Sequence, residues 1–132
     1  MAQISRSDIK KRGFKRFLSS FSFSIDGLKY AYKNEQSMLI HLIVTILGIL
    51  LGFIFKISMT EWAIICITIG VTLAAELINT AIEAAVDLTT LEINPLAKIA
   101  KDCGSAATFV FSIIAAVIGI IIFGPKILLL FF

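Results

Sequence analysis

Residues 62–87 read WAIICITIGVTLAAELINTAIEAAVD and carry both an apolar segment and a regular set of acids. The first half of this stretch is apolar apart from two threonines, and with its continuation it is long enough to cross a membrane as a helix of about 20 residues. One face of that helix collects four polar side chains: Glu76, Asn79, Glu83 and Asp87. At about 100° per residue they fall within an arc of roughly 80°. Acids inside hydrocarbon are costly and mark function, so this face predicts a site.

The depth of the acidic face follows from the tryptophan at the start of the stretch. Trp is enriched at membrane interfaces, so Trp62 is expected to mark the outer boundary of the span. At 1.5 Å per residue, Glu76 then lies about 21 Å further along the axis and Glu83 about 31 Å. The hydrocarbon core is about 30 Å thick. We therefore expect the acids to open at the inner leaflet, within reach of water-soluble and lipid-borne molecules.

Two further apolar stretches, at 39–55 and 106–123, flank this one. The chain has 132 residues, of which 58% are hydrophobic and 16% charged. Soluble domains average nearer half apolar and a quarter charged, and one of this size cannot hide the excess. The composition therefore argues against a soluble monomer and against disorder. Because residues 1–37 hold no long apolar run, a cleaved signal peptide is not expected.

The positive charges predict the orientation. Eight of the twelve Lys and Arg residues lie in the first 33 positions: Arg6, Lys10, Lys11, Arg12, Lys15, Arg16, Lys29 and Lys33. The connection at 87–105 adds two lysines, whereas the connection at 56–61 carries one. The positive-inside rule then places the N-terminus and the second connection in the cytoplasm.

The N-terminal segment carries an apolar stripe at steps of three and four, formed by Phe14, Phe17, Leu18, Phe21, Ile25 and Leu28. Such a basic amphipathic helix, at about 7–33, is expected to lie on the cytoplasmic membrane surface. The alternative is a soluble helix packed on a partner.

These patterns predict one all-α integral membrane domain over 1–132. It consists of the amphipathic surface helix followed by transmembrane helices at about 38–56, 62–86 and 104–124. Gly48 and Gly52 form a small-xxx-small pair of the kind that lets helices approach closely, so an oligomeric helix bundle is expected. The lone His41 is interpreted as a polar contact at the start of a span. Cys66 and Cys103 fall in different compartments and predict neither a disulfide nor a metal site.

The third span begins with Lys98, Lys101, Asp102 and Ser105 on one helical face. With Glu35, before the first span, these residues can converge on the acidic face. Carboxylates suit Mg²⁺, lysine suits phosphate, and a remaining carboxylate can accept a proton, which together favour phosphoryl transfer. No P-loop or protein-kinase motif is present. Two alternatives stay open: an ion or proton pathway, and a structural bundle in which Glu76 and Glu83 pair with Lys98 or Lys101.

Three motifs resemble a known family: DGLKYAYKNE at 26–35, ELINTAIEAAVD at 76–87 and AKDCGSAA at 100–107. They are similar to the motifs of the prokaryotic diacylglycerol kinase family, small enzymes with three spans, and the resemblance runs from about residue 16 to 124. The motif spacing and the stretch HLIV…LGF…KIS…EW look most like the Gram-positive branch, whose members are undecaprenol kinases. One departure lies at 92–98, where relatives often carry Tyr-His in place of Ile93 and Asn94. The resemblance therefore carries over no particular nucleotide contact from that loop to this chain.

The resemblance implies an ATP-dependent lipid kinase that transfers the γ-phosphate of MgATP to a lipid hydroxyl, as a homotrimer in the plasma membrane with cytoplasmic sites. The expected substrate is undecaprenol; the alternatives are diacylglycerol or, in another class, a non-enzymatic or ion-pathway bundle. Partners are ATP, the lipid alcohol and further copies of the chain, with no nucleic acid. By motif position, Glu76 matches the general base and Glu35 and Glu83 match Mg²⁺ ligands. The nucleotide-binding positions are Arg16, Phe23, Asn79, Asp87, Lys101 and Asp102.

Overall fold

A computed structural model describes residues 13–90 and 92–130, without the side chain of Lys15. Four helices occupy almost all of this part, and no strand occurs in it: α1 (Phe14–Asn34), α2 (Gln36–Ile54), α3 (Met59–Thr89) and α4 (Pro95–Leu128). The last three are long and apolar enough to cross a membrane. The expectation of an all-α protein with three membrane-spanning helices is thereby confirmed. The predicted start of the surface helix near residue 7 and the basic residues at 6 and 10–12 lie outside the described residues.

The last helix begins nine residues earlier than about 104, the start expected from the apolar stretch. Asn94 caps it, because its Oδ1 accepts hydrogen bonds from the backbone N–H of Leu96 at 2.9 Å and of Ala97 at 3.4 Å. Pro95 occupies the first helical position, where its missing N–H costs nothing. The apolar run marked the membrane segment, whereas this cap marks the helix, so the connection from α3 covers only residues 90–94.

A tight turn joins α2 to α3. Ser58 and Glu61 form a capping box, in which the Ser58 N–H donates to Glu61 Oε2 at 2.7 Å and the Glu61 N–H donates to Ser58 Oγ at 3.3 Å. Gly52 is buried here, and a Cβ at this position would lie 2.6 Å from the Trp62 ring. Gly52 thus makes room for Trp62 of the same chain, while the helix association expected of the Gly48–Gly52 pair stays a prediction.

The same end of the molecule holds a small apolar core. Its buried members are Ile57, Ile65, Ile122 and Phe123. Beside it, Lys126 Nζ on α4 pairs with Glu61 Oε1 on α3 at 2.5 Å. This end therefore ties the start of α3 to the end of α4.

α4 packs mainly on α3, while α2 contacts α3 less extensively. Between α2, α3 and α4 lies a groove of about 380 Å³ with largely apolar walls, here called the α2 groove. Its lining runs from Ile40 and His41 at one end of α2 to Leu51 and Phe123 near the apolar core. The α2 groove therefore runs along α2 from its first turns toward the apolar core.

α1 exposes the apolar stripe expected from its sequence. Phe14 is 75% exposed, and the rings of Phe17 and Phe21 lie 5.1 Å apart on the same uncovered side. The far end of α1 is different, because Ala31 is fully buried near the junction with α2. The described part of α1 is therefore anchored at its end and open along its aromatic face.

Candidate active site

The polar face of α3 turns into the bundle. Thr72, Glu76, Asn79 and Thr80 are all between 4% and 8% exposed. The two threonine hydroxyls donate to carbonyl oxygens one turn back, Thr72 to Thr68 at 2.8 Å and Thr80 to Glu76 at 3.1 Å. Their hydrogen bonds are satisfied within the helix. The carboxylate of Glu76 and the amide of Asn79 are therefore the buried polar groups of this face that can bind a ligand or accept a proton.

Two residues of α2 surround the Glu76 carboxylate. Ser37 Oγ donates a hydrogen bond to Oε1, and His41 Nε2 lies 3.8 Å from Oε2. Ser37 is not among the site residues predicted from the sequence, and His41 was predicted only as a polar contact at the start of a span. Their i, i+4 spacing at the start of an apolar helix was the available signal, since it puts both side chains on one face.

The second acid of the face is held by its own helix. Asn79 Nδ2 donates to Glu83 Oε1 at 2.9 Å, which fixes one oxygen of this half-buried carboxylate. Asn79 Oδ1 is buried and has no hydrogen-bond partner. It lies against Gly104 of α4, where a Cβ would come within 2.4 Å of it. The Asn79 amide therefore fits only because position 104 has no side chain.

The lysines of α4 pair with acids other than the two on the buried face. Lys101 Nζ lies 2.6 Å from Asp87 Oδ1 across the α3–α4 contact, and Lys98 forms an ion pair with Asp102 on its own helix. Within 13–90 and 92–130, Glu76 and Glu83 have no Lys or Arg nitrogen within 4 Å. A bundle in which these lysines neutralise Glu76 and Glu83 is therefore not the arrangement found.

Three other expected site residues lie on α1 or at its end. Glu35 lies between α1 and α2, where its backbone N–H donates to Ala31 O at 2.8 Å. Arg16 and Phe23 lie exposed on α1, the helix that carries the uncovered aromatic stripe. No group of three His, Cys, Asp or Glu side chains close enough to hold a metal occurs among the described residues. One chain thus assembles part of the expected site.

What it assembles suits attack by an alcohol. A buried carboxylate with one oxygen fixed by a hydroxyl can accept a proton at the other. The Glu76 carboxylate lies next to the end of the α2 groove that His41 lines. The half-exposed Lys101 pairs with Asp87, one turn along α3 from Glu83. Glu76 therefore lies between the apolar α2 groove and the charged side chains of Glu83, Asp87 and Lys101.

Comparison with known proteins identifies the class. The prokaryotic diacylglycerol kinase family matches residues 22–123, a segment that contains all three motifs, and the chain belongs to this family. It is therefore a membrane lipid kinase, which transfers a phosphoryl group from ATP to a lipid, and this outcome decides against a non-enzymatic bundle.

The matches to individual relatives extend over most of this chain and most of each relative. An undecaprenol kinase of Bacillus subtilis strain 168 is 40% identical over 111 residues, which is 84% of this chain and 90% of that protein. A diacylglycerol kinase of Helicobacter pylori strain J99 is 35% identical over 123 residues, 93% of each protein. A diacylglycerol kinase of Escherichia coli K12 is 28% identical over 105 residues, 80% of this chain and 86% of that protein. The names of these relatives therefore point to two different lipid substrates, undecaprenol and diacylglycerol.

Proposed function

We propose that this lipid kinase phosphorylates undecaprenol to undecaprenyl phosphate. Glu76 carries the proposal: its carboxylate is 4% exposed, beside the polar end of an apolar groove, as a base that must meet a lipid hydroxyl requires. The choice of undecaprenol is supported by the 40% identity to the Bacillus subtilis undecaprenol kinase. Diacylglycerol is the second candidate substrate, favoured by the name of the Helicobacter pylori relative.

In the proposed reaction the lipid hydroxyl attacks the γ-phosphorus of ATP. Its proton passes to Glu76, a new P–O bond forms, and the bond from the γ-phosphorus to the β-phosphate oxygen breaks to release ADP. Ser37 holds one carboxylate oxygen, so the free oxygen keeps a fixed direction toward the hydroxyl. Burial of Glu76 excludes water, which would otherwise compete as nucleophile.

Glu35 and Glu83 are the proposed Mg²⁺ ligands. The donor chemistry fits, because Mg²⁺ takes one or two carboxylates together with phosphate oxygens. Glu83 has one oxygen bound to Asn79 and the other without a hydrogen-bond or ion-pair partner in the described structure. When bound, the ion neutralises charge on the transferring phosphoryl group. Asn79 supports this role by orienting Glu83.

The nucleotide side is assigned to polar residues nearer the ends of α3 and α4. Lys101 is 37% exposed at its side chain and would exchange Asp87 for phosphate oxygens when ATP binds. Asn79 is the second proposed phosphate contact. The remaining proposed nucleotide-binding residues are Arg16, Phe23, Asp87 and Asp102.

A homotrimer is proposed to complete the site. Supporting this, the described part of one chain brings no three His, Cys, Asp or Glu side chains close enough to hold a metal ion. The spans also expose many large apolar side chains, for example Ile43 at 66% and Phe109 at 65%. We further propose that the chain forms one domain in the plasma membrane, with its N-terminus and active site cytoplasmic, from the charge distribution.

The experiment offers both lipids side by side to the purified protein in the same micelles. We expect phosphate transfer from γ-labelled ATP to undecaprenol with a kcat/KM above that for diacylglycerol. A higher kcat/KM for diacylglycerol would assign diacylglycerol as the substrate in place of undecaprenol. Transfer to neither lipid would contradict the whole proposal.

A further inference from the structure

The distance between His41 and Glu76 requires an explanation. His41 Nε2 and Glu76 Oε2 are 3.8 Å apart, whereas N–H···O hydrogen bonds span about 2.7–3.2 Å. The pair is therefore too far apart for a direct bond. A single oxygen atom about 2.8 Å from each would bridge this separation with ordinary hydrogen-bond lengths.

The α2 groove supplies the direction from which such an oxygen would come. His41 is part of its lining, and its side chain is 16% exposed. Beyond His41, the walls along α2 are Val44, Gly48 and Leu51, which suit a hydrocarbon chain. A chain lying in this groove would bring its polar end to His41.

We propose that His41 positions the hydroxyl of the lipid alcohol, and this proposal rests on the proposed kinase function. The hydroxyl oxygen accepts a hydrogen bond from the Nε2–H of neutral His41 and donates its own proton to Glu76 Oε2. During transfer that proton moves to Glu76 as the oxygen bonds to the γ-phosphorus and ADP leaves. His41 then keeps its proton throughout and acts by fixing the direction of the lone pair that attacks. The ligand class is a long single-chain primary alcohol.

The surroundings of Glu76 leave this role to His41. α2 contributes Ser37, which already occupies Oε1. Among described residues, α1 and α4 bring no Lys, Arg or His nitrogen within 4 Å of the carboxylate. Asn79, on α3 itself, is engaged with Glu83. His41 is therefore the donor available at Oε2.

The kinetic test uses two substitutions of one position. His41→Leu removes the donor at similar size, and we expect the KM for undecaprenol to rise roughly tenfold while the KM for ATP stays unchanged. His41→Gln keeps an N–H donor and should recover most of the loss. Thr108→Val, which removes a hydroxyl on α4 outside the groove lining, is the control and should behave as the parent protein.

A second measurement does not depend on turnover. The chain has one histidine, so tag-free protein gives a single imidazole signal set in NMR spectra. Without nucleotide, farnesol should shift these signals more than its hydrocarbon lacking the hydroxyl, because only farnesol can accept a hydrogen bond from His41. Equal shifts by both compounds, or an unchanged lipid KM in His41→Leu, would overturn the positioning role and leave the kinase proposal standing. A parent protein that phosphorylates no lipid alcohol would instead overturn the kinase proposal.

Discussion

Gly104→Ala is a small change for which the structure predicts a specific kinetic effect. The added methyl group would meet Asn79 Oδ1 at 2.4 Å, about 1 Å closer than ordinary van der Waals contact at 3.4 Å. The close α3–α4 packing resists separation of the helices, so the flexible Asn79 side chain must turn away. Its 2.9 Å hydrogen bond to Glu83 is then lost.

The magnitude follows from that hydrogen bond. A bond to a charged group contributes about 1.5–3 kcal/mol, equivalent to roughly 10- to 150-fold in an equilibrium constant. Glu83 is half-buried, and water can replace part of the loss, so we expect the lower end. The apparent Mg²⁺ affinity should therefore fall roughly tenfold.

The assay is the Mg²⁺ dependence of phosphate transfer, together with Mn²⁺ binding followed by electron paramagnetic resonance without turnover. Gly70→Ala is the control, because a Cβ there meets nothing within 4 Å and the residue lies outside the lining of the α2 groove. In an Asn79→Ala background, Gly104→Ala should add less than about 0.5 kcal/mol, since the atom it displaces is gone. Full additivity in the double variant, or a Gly104→Ala protein equal to the control, would refute the reasoning.

Three further variants test other parts of the account. Glu83→Ala should weaken the Mg²⁺ dependence of transfer, and an unchanged Mg²⁺ titration would argue against its role as ligand. Lys101→Met should raise the KM for ATP and leave the KM for lipid unaltered; equal changes in both would contradict a phosphate contact. Gly52→Ala would bring a methyl group to 2.6 Å from Trp62 and should lower the thermal unfolding temperature. Gly48→Ala, which meets nothing within 4 Å, should not, and equal destabilisation would count against the packing assignment.

The large-scale organisation could be predicted from the sequence because it depends on composition and on period. Apolar runs specify spans, and the spacing of Glu76, Asn79 and Glu83 specifies one face of α3. The structure buries the Glu76–Asn79 part of that face and half-buries Glu83. Periodicity needs only the geometry of one helix, so it was sufficient here.

Contacts between helices could not be predicted in the same way. The proximity of Ser37 and His41 to Glu76 depends on the rotation and depth of α2 relative to α3, which a periodic pattern does not specify. Which acid pairs with Lys101 depends on the register of α4 against α3, and in the structure that acid is Asp87.

The start of α4 illustrates a second limit. The hydropathy pattern described where the membrane segment begins, whereas the Asn94 cap and Pro95 determine where the helix begins. The Asn94 side chain is occupied by the backbone N–H groups of Leu96 and Ala97. Local capping chemistry was therefore the missing signal.

The most direct test of the account is the activity of Glu76→Gln with undecaprenol and MgATP. This change keeps the size of the side chain and its contact with Ser37 but removes the proton acceptor. General-base catalysis contributes roughly 100- to 10,000-fold, so transfer should fall by that factor while thermal unfolding and assembly match the parent protein. Turnover at the parent rate in an intact Glu76→Gln protein would contradict the claim that Glu76 is the base.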